Sequence, residues 1–265
     1  MITFDIDQLY SWINAFLWPF VRILAMLRLA PVLGESSIPV RVKVGLGVVI
    51  AIAIAPTLGP MPNVATASYA GIWILVQQVF IGLALGLAMR IVFAAVQTAG
   101  EFIGLQMGLS FASFFDPATG ANTAVLSRLM NVVATLLFLA LNGHLLMLAG
   151  LVRTFEVLPI RIGALDPNGW GVLLTWSSEI MLSGMLLALP LIIVLLTINL
   201  SLGILNRTAQ QLSVFAVGFP ISLMTGLVLL ATVLPQTTPF LSRLFQKGYA
   251  TMAQIAQALA GLPVD

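Results

Sequence analysis

The sequence has no cysteine, a single histidine and few charged residues of either sign. Only 8% of its 265 residues are Asp, Glu, Lys or Arg, whereas a soluble domain carries roughly 25%. The absence of cysteine excludes disulfides and thiolate chemistry. No run of Lys or Arg provides the basic surface that nucleic-acid binding needs, so we expect no nucleic-acid partner. These shortages together exclude an ordinary soluble domain.

Apolar residues fill the chain instead, at 60% of the sequence and a mean hydropathy of +1.09. They form six apolar segments with no soluble domain between them. The second segment is short, whereas several of the others reach the ~20 residues that cross a bilayer. The approximate segments are Leu9–Leu33, Val44–Ala55, Tyr69–Val96, Leu129–Val152, Ile180–Asn206 and Leu212–Leu234. Pro190 and Pro220 lie inside the last two and predict kinks. We therefore predict an all-α fold, a polytopic helical subunit of a membrane complex with long kinked helical hairpins.

The orientation of these segments does not follow from the basic residues between them. If all six cross, Arg41, Lys43, Arg128 and Arg207 fall on one side, and Arg153, Arg161, Arg243 and Lys247 on the other. The positive-inside rule gives no topology from such a tie. Two interpretations stay open: a polytopic bundle with weak charge bias, or a subunit whose segments are partly buried against neighbouring subunits. Hydropathy alone favours the first.

Few ionisable or amide side chains interrupt the apolar segments, and none forms a catalytic motif. Arg22 and Arg28 lie in the first segment, and Gln77 and Gln78 in the third, where they must face protein, water or headgroups rather than lipid. His144 has no acidic residue near it in sequence, so hydrogen-bonded packing is its expected role. We expect no enzymatic activity, metal or cofactor. A solute or ion transporter, the alternative of another class, would need a charged site at mid-membrane, and the charge-free later segments argue against one.

Glycines recur every fourth residue between the third and fourth segments. Gly100, Gly104 and Gly108 fall on one face of a helix and predict a close-packing ridge. Gly82 and Gly86 form a shorter version of the same pattern. Such ridges are common in membrane helices, so the pattern predicts tight helix packing and nothing more specific.

An aromatic stretch follows this ridge. Met107, Phe111, Phe114 and Phe115 lie close together before the turn signal Asp116-Pro117. Because the three Phe fall at i, i+3 and i+4, one interpretation is a short buried helix. The other is a movable apolar constriction that closes a pore by excluding water. The residues alone favour the buried helix, because apolar stripes usually form core.

Several motifs resemble one known family, FliR, the flagellar type III export-gate proteins. The resemblance lies in GEFIGLQMGLSFASFFDP (residues 100–117), PVRVKVGL (39–46), Asn142-Gly143-His144, and the stretch from Leu205-Asn206-Arg207 to Val217-Gly218-Phe219-Pro220. Length and apolar pattern match over essentially the whole chain. One departure is Gln210, where the family usually has Pro, and we expect a local change in the turn between the last two segments.

The resemblance implies a single export-gate subunit over residues 1–265, with a FliP-like part at about 1–178 and a FliQ-like helical hairpin and C-terminal helix at about 179–265. It implies partners: FliP and FliQ homologues in one gate, an FlhB homologue, unfolded flagellar export substrates and rod proteins, and membrane lipid. It places the complex at the bacterial inner membrane in the flagellar basal body, projecting to the periplasmic side. A homologous subunit of a virulence type III secretion system is the alternative within this class, and the wording of residues 205–220 favours the flagellar branch.

The resemblance also reverses the interpretation of the aromatic stretch. The family's closing plug corresponds to about residues 106–122, which makes Met107, Phe111, Phe114 and Phe115 candidates for the pore plug. Arg207 and Gln211, at the tip of the last hairpin, are candidate contacts with a partner subunit. Near the C-terminus, seven apolar residues of 240–262 fall largely on one helical face: Leu241, Leu244, Phe245, Met252, Ile255, Ala256 and Leu259. We therefore predict a docked or interfacial helix there rather than a seventh span.

Overall fold

The computed structural model describes residues 6–59, 61–62, 64–109, 125–208 and 214–263. Within these ranges the chain is helical and contains no strand. The α-helices are α1 (Ile6–Leu29), α2 (Val40–Ile54), α3 (Tyr69–Gln106), α4 (Val125–Ala140), α5 (Gly143–Val157), α6 (Asn168–Ser177), α7 (Glu179–Thr208), α8 (Val214–Val233) and α9 (Thr238–Leu259). The predicted all-α class is confirmed.

Five helical stretches in the described residues are long and apolar enough to cross a membrane, or six if α4 and α5 form one broken span. The longest helix among the described residues, α3, has 38 residues, so it measures about 57 Å at 1.5 Å per residue. That length exceeds the ~30 Å hydrocarbon core of a bilayer. The predicted third segment ended at Val96 and was too short, because α3 ends at Gln106. Residues 97–106 contain no proline to interrupt the helix.

The predicted fourth segment is not one helix. It is broken at Leu141 and Asn142, between α4 and α5. Asn142 adopts a left-handed conformation with φ 54°, which Asn tolerates better than other side chains and which ends a helix. The following Gly143 begins α5. A short helix that the apolar pattern did not predict, α6, follows before α7.

The first of two compact units comprises Met1–Ile91, Asn142–Ser177 and Gln246–Asp265. Its core includes Trp18, Ile23 and Met26 from α1, all fully buried. The close approach of α1 and α3 depends on glycine, since a Cβ on Gly86 would lie 2.7 Å from the carbonyl oxygen of Met26. Gly82 meets the backbone of Arg22 in the same way.

The second unit comprises Val92–Leu141 and Ser178–Phe245. Its core contains Phe93, Phe138 and Phe245, whose ring centroids lie 5.4–5.8 Å apart. Helix α7 approaches α3 closely at Gly184, where a Cβ would lie 2.9 Å from the Ala95 carbonyl oxygen. Pro190 and Pro220 lie inside α7 and α8, which both continue through them.

The C-terminal helix α9 has one buried apolar face, as the sequence pattern predicted. All seven apolar residues expected on that face are buried by the chain itself: Leu241, Leu244, Phe245, Met252, Ile255, Ala256 and Leu259. Arg243 and Lys247 lie on the exposed side. The end of α9 is fixed in the first unit, where the Asp166 N–H donates to the Leu259 carbonyl at 3.1 Å.

Candidate functional site

Helix α3 ends in a glycine turn just before the aromatic stretch. Gly108 has φ 79°, its N–H donates to the Leu105 carbonyl at 3.1 Å, and the Leu109 N–H donates to the Gly104 carbonyl at 3.0 Å. This pair of bonds with a left-handed glycine is a Schellman motif, which satisfies helix-terminal carbonyls. Gly108 therefore fixes the direction in which the chain leaves α3, and any β-carbon at this position would be strained.

On the other side of residues 110–124, the start of α4 lies directly against α3. A Cβ on Gly100 would lie 2.5 Å from the Cα of Ser127, so only glycine fits there. The Ser127 hydroxyl donates to the Gln97 carbonyl at 2.8 Å, and the Gln97 Nε2 donates to Asn131 Oδ1 at 3.1 Å. These contacts join α4 to α3 at the point where the chain returns.

The three glycines of the predicted ridge make different contacts. Gly100 meets backbone, whereas a Cβ on Gly104 would be at an ordinary 3.9 Å from Leu126 Cδ1. Gly108 lies beyond the end of the helix and forms its closing turn.

Met107, in this closing turn, is fully buried against α8. A Cβ built on Gly226 would lie 2.5 Å from Met107 Cγ, 2.6 Å from Cε and 2.7 Å from Sδ. Nearby, Asn199 on α7 donates from Nδ2 to the Gln106 carbonyl at 3.5 Å and accepts from the Ser222 hydroxyl at 2.7 Å. In the sequence, nothing distinguishes Gly226, Asn199 or Ser222 beyond their being small or polar residues in apolar helices.

The remaining predicted site residues divide in two groups. Phe111, Phe114, Phe115 and Gln211 lie outside the described residues, as does Gln210. Arg207 is exposed in the last turn of α7, where a cation interacts favourably with the helix dipole.

The first unit contains a buried polar cluster around Arg22. The guanidinium donates from Nε to Gln78 Oε1 at 2.7 Å, from Nη1 to the Thr154 carbonyl at 3.2 Å and hydroxyl at 3.3 Å, and from Nη2 to the Leu158 carbonyl at 3.0 Å. Its carbon also lies 4.2 Å from the centre of the Phe155 ring. Arg22 is fully buried. These hydrogen-bond partners are all neutral and occupy most of its five N–H donors.

Gln77 and His144 are two further polar residues noted in the sequence. Gln77 is buried and donates to the Gly163 carbonyl. The Nδ1 of His144, in the first turn of α5, is buried without a hydrogen-bond partner among the described residues, so the hydrogen-bonded packing expected for His144 is not found at this atom. Neither Gln77 nor His144 is among the hydrogen-bond partners of Arg22 given above.

Long apolar helices and a scarcity of charged residues define a polytopic membrane protein. The chain matches the family "Bacterial export proteins, family 1" over residues 13–248. It is 49% identical to the flagellar biosynthetic protein FliR of Escherichia coli K12, over 98% of this chain and 99% of that protein. It is 47% identical to the FliR of Pectobacterium carotovorum over the same shares, and 28% identical to that of Bacillus subtilis over 94% and 96%. The chain belongs to the FliR family of bacterial export proteins.

Proposed function

We propose that this chain is a structural and gating subunit of the flagellar type III protein export channel. It forms the export gate with FliP and FliQ homologues, with an FlhB homologue attached, and passes unfolded flagellar substrates and rod proteins. The gate lies in the bacterial inner membrane within the basal body and projects to the periplasmic side. The stretch that contains Phe111, Phe114 and Phe115 closes the pore as a plug.

The observation that carries this proposal is the anchoring on both sides of residues 110–124. The Gly108 turn fixes where the chain leaves α3, and the contact of Ser127 with Gly100 fixes where it returns. Both anchors belong to the same end of α3 in the second unit. A closing element needs such a firm base because its position must be reproducible each time the pore shuts.

The names of the relatives support the flagellar branch over the virulence-type apparatus. The three compared above are all called flagellar biosynthetic proteins, and none is named as an enzyme. The Arg22 cluster also weighs against a transporter. Its guanidinium is fully buried and is hydrogen-bonded to protein acceptors on α3 and at the end of α5, so it offers no open position to a solute.

We further propose that residues 1–178 form the FliP-like part and residues 179–265 the FliQ-like hairpin and C-terminal helix. The start of α7 at Glu179 supports this boundary. Helices α7 and α8 expose large aliphatic side chains such as Leu182, Leu200 and Val228. Such surfaces suit neighbouring apolar helices or lipid better than water. Arg207 and Gln211, at the tip of this hairpin, contact a partner subunit.

The test of the plug is to replace Phe111, Phe114 and Phe115 singly and together by Ala in the assembled complex. Each Phe buries about 150–250 Å² of apolar surface, and a ring-lined constriction blocks ions by excluding water. We expect ion conductance to rise in lipid bilayers while the yield of complex with the FliP and FliQ homologues stays near wild type.

The matched control is Phe138→Ala, because Phe138 is fully buried between Phe93 and Phe245. It should cost roughly 3–5 kcal/mol and lower the yield of complex without a leak from what survives. If the three plug variants behave like Phe138→Ala, with lost assembly and no leak, those residues are core and the plug is rejected.

A further inference from the structure

The side chain of Met107 packs against Gly226 of α8 from Cγ to Cε. A Cβ at Gly226 would lie 2.5–2.7 Å from Cγ, Sδ and Cε of Met107. These distances are shorter than carbon atoms tolerate, and the conflict begins at Cγ rather than at the flexible end of the side chain. Met107 therefore has its present position only because residue 226 has no side chain.

Not every glycine in the α7–α8 hairpin lies against another side chain in this way. At Gly203, in α7, a Cβ would have no neighbour within 4 Å. Glycine weakens a helix relative to alanine, so Gly226 costs α8 some helix stability. The Met107 side chain occupies the space that this glycine leaves.

A polar contact lies on the same turn of α3. Asn199 reaches the Gln106 carbonyl with Nδ2 and is held through Oδ1 by the hydroxyl of the buried Ser222. The C-terminal end of α3 thus meets α7 through Gln106 and Asn199, and Met107, the next residue, meets α8 at Gly226. Both helices of the hairpin touch adjacent residues of one turn.

We propose that Gly226 is a positioning residue: it seats Met107, so that the α7–α8 hairpin fixes the last turn of α3 and thereby the resting, closed state of the channel. The seat stands on the described residues, whereas its effect on closure rests on the function proposed above. A force or partner acting on the hairpin then reaches the base of residues 110–124 through this contact.

The first experiment measures the seat itself, independently of any leak. This chain has no cysteine of its own, so Gln106→Cys with Asn199→Cys places one pair at this contact for a short bifunctional thiol reagent, in a complex assembled with cysteine-free partner subunits. The pair removes the Asn199 hydrogen bonds equally in every variant, so crosslinking rates are compared only within this background. We expect efficient crosslinking in this background. Gly226→Ala should lower the crosslinking rate roughly tenfold, the equivalent of ~1.4 kcal/mol in the seated population. The control Gly203→Ala should leave it unchanged.

The second variant, Met107→Ala, empties the seat without adding atoms and so avoids overpacking. Alone it should lower crosslinking less than Gly226→Ala does. In combination, Gly226→Ala should have no further effect, because the added methyl enters the space that Met107 vacates. This non-additivity is the signature of direct contact between two residues. Crosslinking that is unchanged in both single variants, or strictly additive losses in the double variant, overturns the seat.

The ion conductance of Gly226→Ala and Gly203→Ala, made without the introduced cysteines, then tests whether the seat keeps the channel closed. Gly226→Ala should leak in the resting complex, and Gly203→Ala should not. A lower crosslinking rate without a leak, in a complex where the three Phe variants do leak, overturns the link between seat and closure. Absence of a leak from the Phe variants rejects the plug instead, and the crosslinking result alone then decides the seat.

Discussion

Replacing Arg22 by Lys should destabilise the protein more than replacing it by Met. Arg22 is a fully buried cation whose hydrogen-bond partners are neutral oxygens from Gln78, Thr154 and Leu158. These acceptors approach from α3 and from the end of α5. A planar guanidinium with five N–H donors reaches all of them, whereas an ammonium group offers three donors from one point and is more strongly hydrated.

The loss in free energy of unfolding depends on which acceptors are left without a hydrogen-bond donor. The Thr154 carbonyl also accepts the Leu158 N–H at 2.9 Å, so it keeps one partner. Gln78 Oε1 and the Leu158 carbonyl lose the guanidinium, and each orphaned acceptor costs about 1–3 kcal/mol. Arg22→Met therefore loses roughly 2–6 kcal/mol from these two groups, offset by no longer burying a charge. Arg22→Lys keeps the buried charge, leaves at least one acceptor unpaired and receives no such offset.

Thermal unfolding of the purified complex, followed by tryptophan fluorescence, measures this order. The double variant Arg22→Met/Gln78→Leu should recover about 1–3 kcal/mol relative to Arg22→Met, because it removes one orphaned acceptor. Arg28→Met is the matched control, since Arg28 is exposed on the same helix, and it should stay within about 0.5 kcal/mol of wild type. Wild-type stability of Arg22→Lys, or no recovery with Gln78→Leu, would refute the reasoning.

Two further predictions concern packing within each unit. Gly100→Ala should lower the free energy of unfolding by roughly 1–3 kcal/mol and reduce the complex yield, because the added methyl meets the Ser127 backbone. Gly104→Ala should be tolerated. Equal melting temperatures for the two variants would contradict this. Leu259→Ala should cost about 2–5 kcal/mol, because Leu259 is fully buried at the end of α9. It should also speed proteolysis of the C-terminus, whereas Leu262→Ala, at an exposed position, should not; equal cleavage rates would show that the helix end is not docked.

Apolar periodicity predicted the existence of most helices and, in α9, the buried face residue by residue. In an amphipathic helix the apolar residues lie on one side of the axis and the polar residues on the other, so the sequence of the helix alone indicates which face is buried. The same pattern did not predict α6, or the break between α4 and α5. There the decisive signal was local: Asn142 adopts a left-handed conformation that apolar periodicity does not register.

The partners of the site residues could not be predicted, because contacts between distant segments have no local signal. Gln78 lies 56 residues from Arg22, and Leu158 lies 136 residues away. The glycine spacing predicted a close approach near Gly100 but did not identify α4 as the helix that approaches. Gly226 lies in an almost uniformly apolar helix, where no periodicity distinguishes one face from another.

Polar residues are the better guide to which helices of this chain meet. An uncompensated amide or hydroxyl inside an apolar helix is costly, so it must find a partner in another helix or loop. Asn14 accepts from Thr66 and donates to the Val64 carbonyl, which joins α1 to the connection before α3. Gln97 pairs α3 with α4 through Asn131, and Asn199 pairs α7 with α8 through Ser222. Apolar side chains pack against any apolar neighbour, whereas each of these amides accepts few partners. Helix pairing in such a chain is therefore specified mainly by its rare polar residues and by the glycines that let backbones meet.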